Sequence, residues 1–206
     1  MKLMERDFLL FKWVNSHGYV TSFQINRFLN VAKTTGYRRI KKLVDAGYLT
    51  RENLLHGVGA VHRITKQAKE ISNENLSLIQ KISLGGYNHN IRLVDLALDF
   101  ERQYPDATFV TERQIRFING VGLSDHGHIP DGEIQFSNDK KWAIELEISV
   151  KASSRLDKIM KYYARNMDYS EVHYYVSDNI VFNAIQKAVD RAKLNHIKII
   201  NMEDDK

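Results

Sequence analysis

The sequence predicts an α+β chain of two domains, a helical N-terminal one and an α/β C-terminal one. Three observations predict it. Apolar residues recur at helical spacing up to Val44. Strand-like and helix-like segments then alternate from Asn90 to Ile200. Charge divides with them: residues 1–83 carry 14 Lys and Arg against 6 Asp and Glu, net +8, and the remainder carries −3 of a total of +5. A basic front and a mildly acidic back suit a phosphate-binding half joined to a carboxylate-bearing half. The boundaries are expected at 1–71 and 87–206, with 72–86 as linker. The 206 residues give ample length for a core.

Other classes are set aside early. No apolar run approaches about 18 residues, so no membrane span is expected. The N-terminus, Met1-Lys2-Leu3-Met4-Glu5-Arg6-Asp7, lacks the apolar core of a signal peptide. A cytoplasmic chain is the expectation. With no cysteine, a metal must be held by carboxylates or histidines.

In the first domain, Phe8, Leu9, Phe11, Trp13 and Val14 mark a helix that ends near His17-Gly18. Thr21-Ser22 caps a second helix carrying Ile25, Phe28 and Leu29. A third runs from about Lys33 to Asp45, with Tyr37, Ile40, Leu43 and Val44 on its apolar face. Its other face carries Thr34, Thr35, Arg38, Arg39, Lys41 and Lys42. Gly47 to Arg51 and Val61 to Thr65 read as two strands around the turn His56-Gly57-Val58-Gly59, a hairpin. The pattern resembles winged helix-turn-helix domains. Helix three then enters the major groove with Lys33, Thr34, Thr35, Arg38 and Arg39 leading. Lys41, Lys42, Arg51 and Arg63 contact phosphates. A protein-contact domain with solvated charges is the alternative.

The second domain reads as a helix from Asn90 to Gln103, extended pieces at 108–111 and 113–117, and a loop at 119–127. A hairpin of Asp131–Phe136 and Lys141–Val150 comes next, turning at Ser137–Lys140. A helix capped by Ser153-Ser154 runs to about Arg165. Strand Glu171–Val176, helix Asn179–Ala192 and strand Ile197–Ile200 complete it, with a frayed tail at 204–206.

The chemistry concentrates in the hairpin. Side chains alternate along a strand, so Glu145, Glu147, Ser149 and Lys151 fall on one side. Asp131 opens the preceding strand after Pro130. Asp131 and Glu147 can bind one Mg²⁺ or Mn²⁺, with Glu145 as a second or outer ligand and Glu112 as a weaker candidate. Lys151 can orient an attacking water or stabilise charge on a phosphate. An exposed sheet face with a same-strand ion pair is the other reading. Tyr162 and Tyr163, on the next helix, are core residues or a covalent nucleophile. His126 and His128 either approach the site or sit in a solvated loop. Arg155 either holds a phosphate or is a helix-surface charge.

Helix, β-meander, helix and strand, with Pro130-Asp131 opening one strand and an acid and Lys151 on the next, resemble the PD-(D/E)XK fold of restriction endonucleases, a mixed-sheet α/β fold. The usual acid-x-Lys ending is shifted here. Ser149 stands two before Lys151, and Glu147 four before. The order of domains is similar to the plasmid replication-relaxation family, which includes mobilisation relaxases related to restriction enzymes. The string Glu145-Leu146-Glu147-Ile148-Ser149-Val150-Lys151, with Arg155 and Tyr162 after it, carries the resemblance, which runs from about Asp7 to Ile200. It implies a metal-dependent DNA-nicking enzyme of a mobile element, with double-stranded DNA and other relaxosome or replication proteins as partners. The alternative is a non-catalytic DNA-binding regulator or accessory factor. A dimer on a palindromic site fits either.

Overall fold

A computed structural model describes residues 1–54, 56–122 and 127–203. His126, part of the expected 119–127 loop, and the 204–206 tail lie outside the described residues. The chain divides into two compact units, Met1–Phe100 and Glu101–Lys206.

The first unit runs α1 (Glu5–His17), β1 (Val20–Thr21), α2 (Ser22–Leu29), α3 (Lys33–Asp45), β2 (Val61–His62), α4 (Lys66–Ile71) and most of α5 (Tyr87–Gln103). The first three helices have local reasons to start or stop. The Asp7 carboxylate accepts from Met4 N (2.7 Å) at the head of α1, and Gly18 takes φ 81° at its end. Thr21 and Gln24 cap α2 reciprocally, at 3.0 and 3.2 Å. α2 and α3 approach so closely that a Cβ on Gly36 would collide with the Asn26 side chain. Gly47, φ 77°, turns the chain out of α3.

The two arms of the expected hairpin pair antiparallel, but through isolated bridges, Leu49 to Ile64 and Glu52 to Val61, with Val61–His62 alone a strand. Thr50 N donates to Arg63 O (2.8 Å), and Glu52 and Val61 exchange backbone bonds at 2.9 Å. β2 then pairs antiparallel with β1, Val20 against His62. Leu10, Phe11, Val14, Ile25, Ile40, Leu43, Leu49 and Ile64 fill the core beneath. Two elements differ from expectation. α4, capped by the Thr65 hydroxyl accepting from Ala68 N, stands where the sequence pattern marks nothing. α5 starts at Tyr87 and gives Val94 and Leu98 to the first unit's core, although the sequence groups it with the second domain.

The second unit runs β3 (Ala107–Thr111), α6 (Glu112–Ile118), β4 (Gly132–Phe136), β5 (Lys141–Glu147), α7 (Ser153–Arg165), β6 (Glu171–Val176), α8 (Asn179–Ala192) and β7 (Ile197–Asn201). Its five-stranded sheet has the order β3-β4-β5-β6-β7. The first three are antiparallel and β5, β6 and β7 are parallel, so the sheet is mixed. Parallel neighbours need crossovers, and α7 and α8 supply them. Leu156, Ile159, Met160 and Tyr163 of α7, with Val181, Ile185 and Val189 of α8, cover Ala143, Val172, Tyr174 and Val176.

Three expectations are corrected. Residues 113–117 are helical, not extended: Thr111 and Gln114 form a capping box and Glu112 bonds Arg116 one turn on (2.8 Å), which outweighs the short alternation. β5 ends at Glu147, not Val150. The N-cap of α7 is Ala152, without a side-chain bond, not Ser153-Ser154. β3 and β4 meet tightly, because a Cβ on Gly132 would run into the Phe109 ring. Among the described residues no helix is long and apolar enough to cross a membrane.

Candidate functional site

The alternation of β5 places Ala143, Glu145 and Glu147 on the face that α7 and α8 cover, with Ile144 and Leu146 on the other. The two glutamates are therefore buried, 2% and 3% exposed, which sets aside the alternative of an exposed sheet face. Placing an ionised carboxylate there costs several kcal/mol unless it is paired. Asp131, half-buried, precedes β4 and sits beside the pair: its Oδ2 accepts from Leu146 N at 2.8 Å.

Because β5 stops at Glu147, the chain turns, and Lys151 reaches back to donate its Nζ to Glu147 Oε1. A straight strand would have set these residues roughly 13 Å apart at about 3.3 Å per residue. The turn removes the four-residue spacing as an obstacle. Burial pushes the Glu147 carboxyl above its ordinary value, and Glu145 and Asp131 add to this while Lys151 opposes it.

Glu145 has two partners of its own. The Tyr163 hydroxyl donates to its Oε1, and His128 Nε2 lies 2.6 Å from the same oxygen. Burial, then the Glu145 charge, holds the Tyr163 hydroxyl far above the usual tyrosine value, so it stays protonated and makes a poor nucleophile. Tyr162 is half-buried, its hydroxyl accepting from Asn166 (2.8 Å). Opposite Glu145 on β6 stands Tyr174. Its buried hydroxyl has no hydrogen-bond partner among the described residues, and the charges of Glu145, Glu147 and Asp131 act on it. Such an orphan beside three carboxylates suits a polar ligand or ion at this point. As the side chains stand, no three His, Asp or Glu groups among the described residues are gathered closely enough to hold a metal. Glu112 lies elsewhere, bonded to Arg116 on α6.

On the solvent side of this cluster lies a cleft of about 990 Å³ lined by His128, Tyr162 and the cations Arg155, Lys158, Lys161 and Arg165. Arg155 is thus part of a row. The other three cations and the contact of Tyr163 with Glu145 were missed by sequence reasoning; for His128, which the sequence left between the site and a solvated loop, the structure gives the contact with Glu145. The cation spacing was visible in α7. The histidine contact joins residues 17 apart, so its partner could not be read locally.

On α3, Lys33, Thr34, Thr35, Arg38, Lys41 and Lys42 are exposed, as is Arg51 on the hairpin. Lys41 pairs with Asp45 (2.7 Å). Two of the expected contacts are committed inside the unit. Arg39 bonds Asp7, which is fully buried, through Nε (2.9 Å) and through NH2. Arg63 bonds Glu52 and the carbonyls of Ile79 (2.6 Å) and Gln80 (3.0 Å). Tyr37, expected on the apolar face, is 41% exposed instead. Compared with models of protein families, with curated proteins and with solved structures, the chain matches none.

Proposed function

We propose that this chain is a DNA-binding protein of a mobile genetic element, a metal-dependent endonuclease that nicks DNA. The first unit reads as a winged helix-turn-helix that grips duplex DNA by α3, and the second as a nuclease-like domain of the restriction-endonuclease type. The observation that carries the reading is the burial of Glu145 and Glu147 with Asp131 and Lys151 beside them. Stability alone does not call for three acids there, since each buried charge costs free energy. A buried carboxylate with a raised pKa and a defined charge partner, as Glu147 has in Lys151, is typical of places where chemistry is done.

In this reading Asp131, Glu145 and Glu147 would hold Mg²⁺ or Mn²⁺ once their side chains turn toward one another. The donor set fits a hard cation, because all are carboxylate oxygens and the orphan Tyr174 hydroxyl adds a polar neighbour. The ion would supply Lewis-acid polarisation of a phosphate oxygen. Lys151, released from Glu147, places its ammonium against charge developing on the phosphate. Tyr163 and His128 hold the Glu145 carboxylate in position.

On the first unit, the exposed Lys33, Arg38 and Lys42 bind phosphates, and Thr34 and Thr35 at the head of α3 face the bases. Calorimetric titration with Mn²⁺ tests the site. The wild type should give a binding signal that Asp131→Ala abolishes. An undiminished signal in Asp131→Ala would contradict the assignment.

One observation favours the alternative, a non-catalytic regulator or accessory factor. Lys151 already neutralises Glu147 and the Tyr163 hydroxyl already donates to Glu145, and such a site can serve as a structural remnant.

A further inference from the structure

The cleft over α7 has a chemistry separate from the carboxylates behind it. Arg155, Lys158, Lys161 and Arg165 are all exposed, and none has an ion-pair partner among the described residues. At 3.6 residues per turn they fall within an arc of about 120°, and the row runs about 15 Å along the helix axis. One carboxylate, Asp168, lies among them. Four like charges on neighbouring turns repel one another and weaken an isolated helix. A row kept unpaired in a concave surface, with acids elsewhere in the chain, is a binding site for a repeating anion.

The wall of the cleft adds a second property. Tyr162 lines it with His128 against its ring, centroids 5.1 Å apart and planes at 77°. His128 is held by Glu145 from behind (2.6 Å), so the aromatic pair is pinned by a buried carboxylate rather than loose. At the rim Met167 is 89% exposed, a large apolar side chain placed beside the cations. Cations that track a backbone, next to ring faces that accept any base, are the two components of sequence-tolerant single-strand recognition. A cleft of about 990 Å³ admits a few nucleotides of one strand, whereas a duplex presents a convex surface.

We infer that the α7 cleft binds single-stranded nucleic acid, with Arg155, Lys158, Lys161 and Arg165 on the phosphates and Tyr162 stacked on a base. This rests on the reading of the second unit as a body that handles phosphodiesters, and names the form of strand it takes. The unpaired strand beside the carboxylates is the one presented to them.

The test uses the full chain and a fluorescent oligothymidylate, which has no duplex form, read by anisotropy. Lys158→Ala with Arg165→Ala should weaken binding at least tenfold and flatten the salt dependence, by about 0.7 in the log–log slope for each cation removed. Tyr162→Leu, which keeps an apolar side chain but no ring face, should weaken it roughly tenfold. Arg38→Ala with Lys42→Ala on α3 should leave this binding unchanged while reducing affinity for duplex DNA. Unaltered oligothymidylate binding in both cleft variants overturns the inference. So does displacement of the oligothymidylate by polyglutamate at equal charge concentration, which would make the cleft a site for acidic protein. Loss of duplex binding alone in the α3 variant, with the cleft variants behaving as stated, keeps the two readings apart.

Discussion

The Tyr163 hydroxyl donates to Glu145 Oε1 across the interface of α7 and the sheet, with both residues at 2% exposure or less. This bond joins the helix that carries the cation row to the strand that carries the acids. Hydrogen bonds to a charged group contribute about 1.5–3 kcal/mol, and leaving the acceptor short of a donor costs as much. Tyr163→Phe should therefore lower unfolding free energy by about 2 kcal/mol in urea titration. A loss below about 0.5 kcal/mol would show the bond to be dispensable.

The hydroxyls of Tyr163, Tyr169 and Tyr174 are all driven upward by burial first and by neighbouring carboxylates second. They should stay un-ionised in the folded chain. In an ultraviolet alkaline titration, Tyr163→Phe and the wild type should give the same absorbance change until the chain unfolds. A smaller pre-unfolding change in the variant would mean that Tyr163 ionises in the native state.

Glu147 gives a pH dependence of stability with a definite sign. Its folded carboxyl titrates above the ordinary value, so its contribution is fully present below that value and is lost as pH rises through the folded one. Glu147→Gln should gain on the wild type as pH is raised from below 4.5 toward neutrality, because Lys151, about one-fifth exposed, can turn its ammonium to water. Thermal unfolding across this range checks it, and a Tm of Glu147→Gln that falls relative to the wild type as pH rises would contradict it.

Arg39 and Arg38 stand side by side on α3 and should behave differently. Arg39→Ala strands the buried Asp7 carboxylate and should cost about 3–5 kcal/mol of stability. Arg38 is exposed, and Arg38→Ala should leave stability within about 0.5 kcal/mol while weakening duplex DNA binding. Urea titration of both variants, with duplex binding measured by anisotropy, distinguishes them. Equal stabilities would contradict the assignment of Arg39 to the fold.

His62 links β2 to its neighbours. It is 1% exposed; Nε2 lies 2.7 Å from Ser22 Oγ, and Nδ1 donates to Thr50 O at 2.9 Å. Burial holds its titration below the ordinary histidine value, so its stabilisation is present above 6.5 and lost as pH falls through the lower folded value. His62→Gln should flatten that fall in thermal unfolding between neutral pH and 5. An unchanged slope would place the acid sensitivity elsewhere.

The parts of this fold that were legible in the sequence are those with local causes. α2 and α3 follow from Thr21, the apolar spacing and Gly47. β5 follows from alternation, which also put Glu145 and Glu147 on one side. What alternation cannot say is which side is covered. The burial of that face depends on α7 returning over it, a crossover that only the parallel pairing of β5 and β6 reveals. The same holds for Arg39. Its commitment to Asp7 spans 32 residues, and the charge of α3 gives no sign of it. α6 was hidden because its capping box lies in a segment too short for helical periodicity to outweigh alternation.

Under the proposed function, Asp131, Glu145, Glu147 and Lys151 together cleave a phosphodiester. Nicking of supercoiled plasmid by the full chain, with Mg²⁺ and separately with Mn²⁺, tests it most directly. The wild type should convert supercoiled DNA to open circles. Glu147→Gln and Lys151→Ala should not, while still folding and binding the same DNA. No open circles from the wild type with either ion, or undiminished nicking by Glu147→Gln, would contradict it.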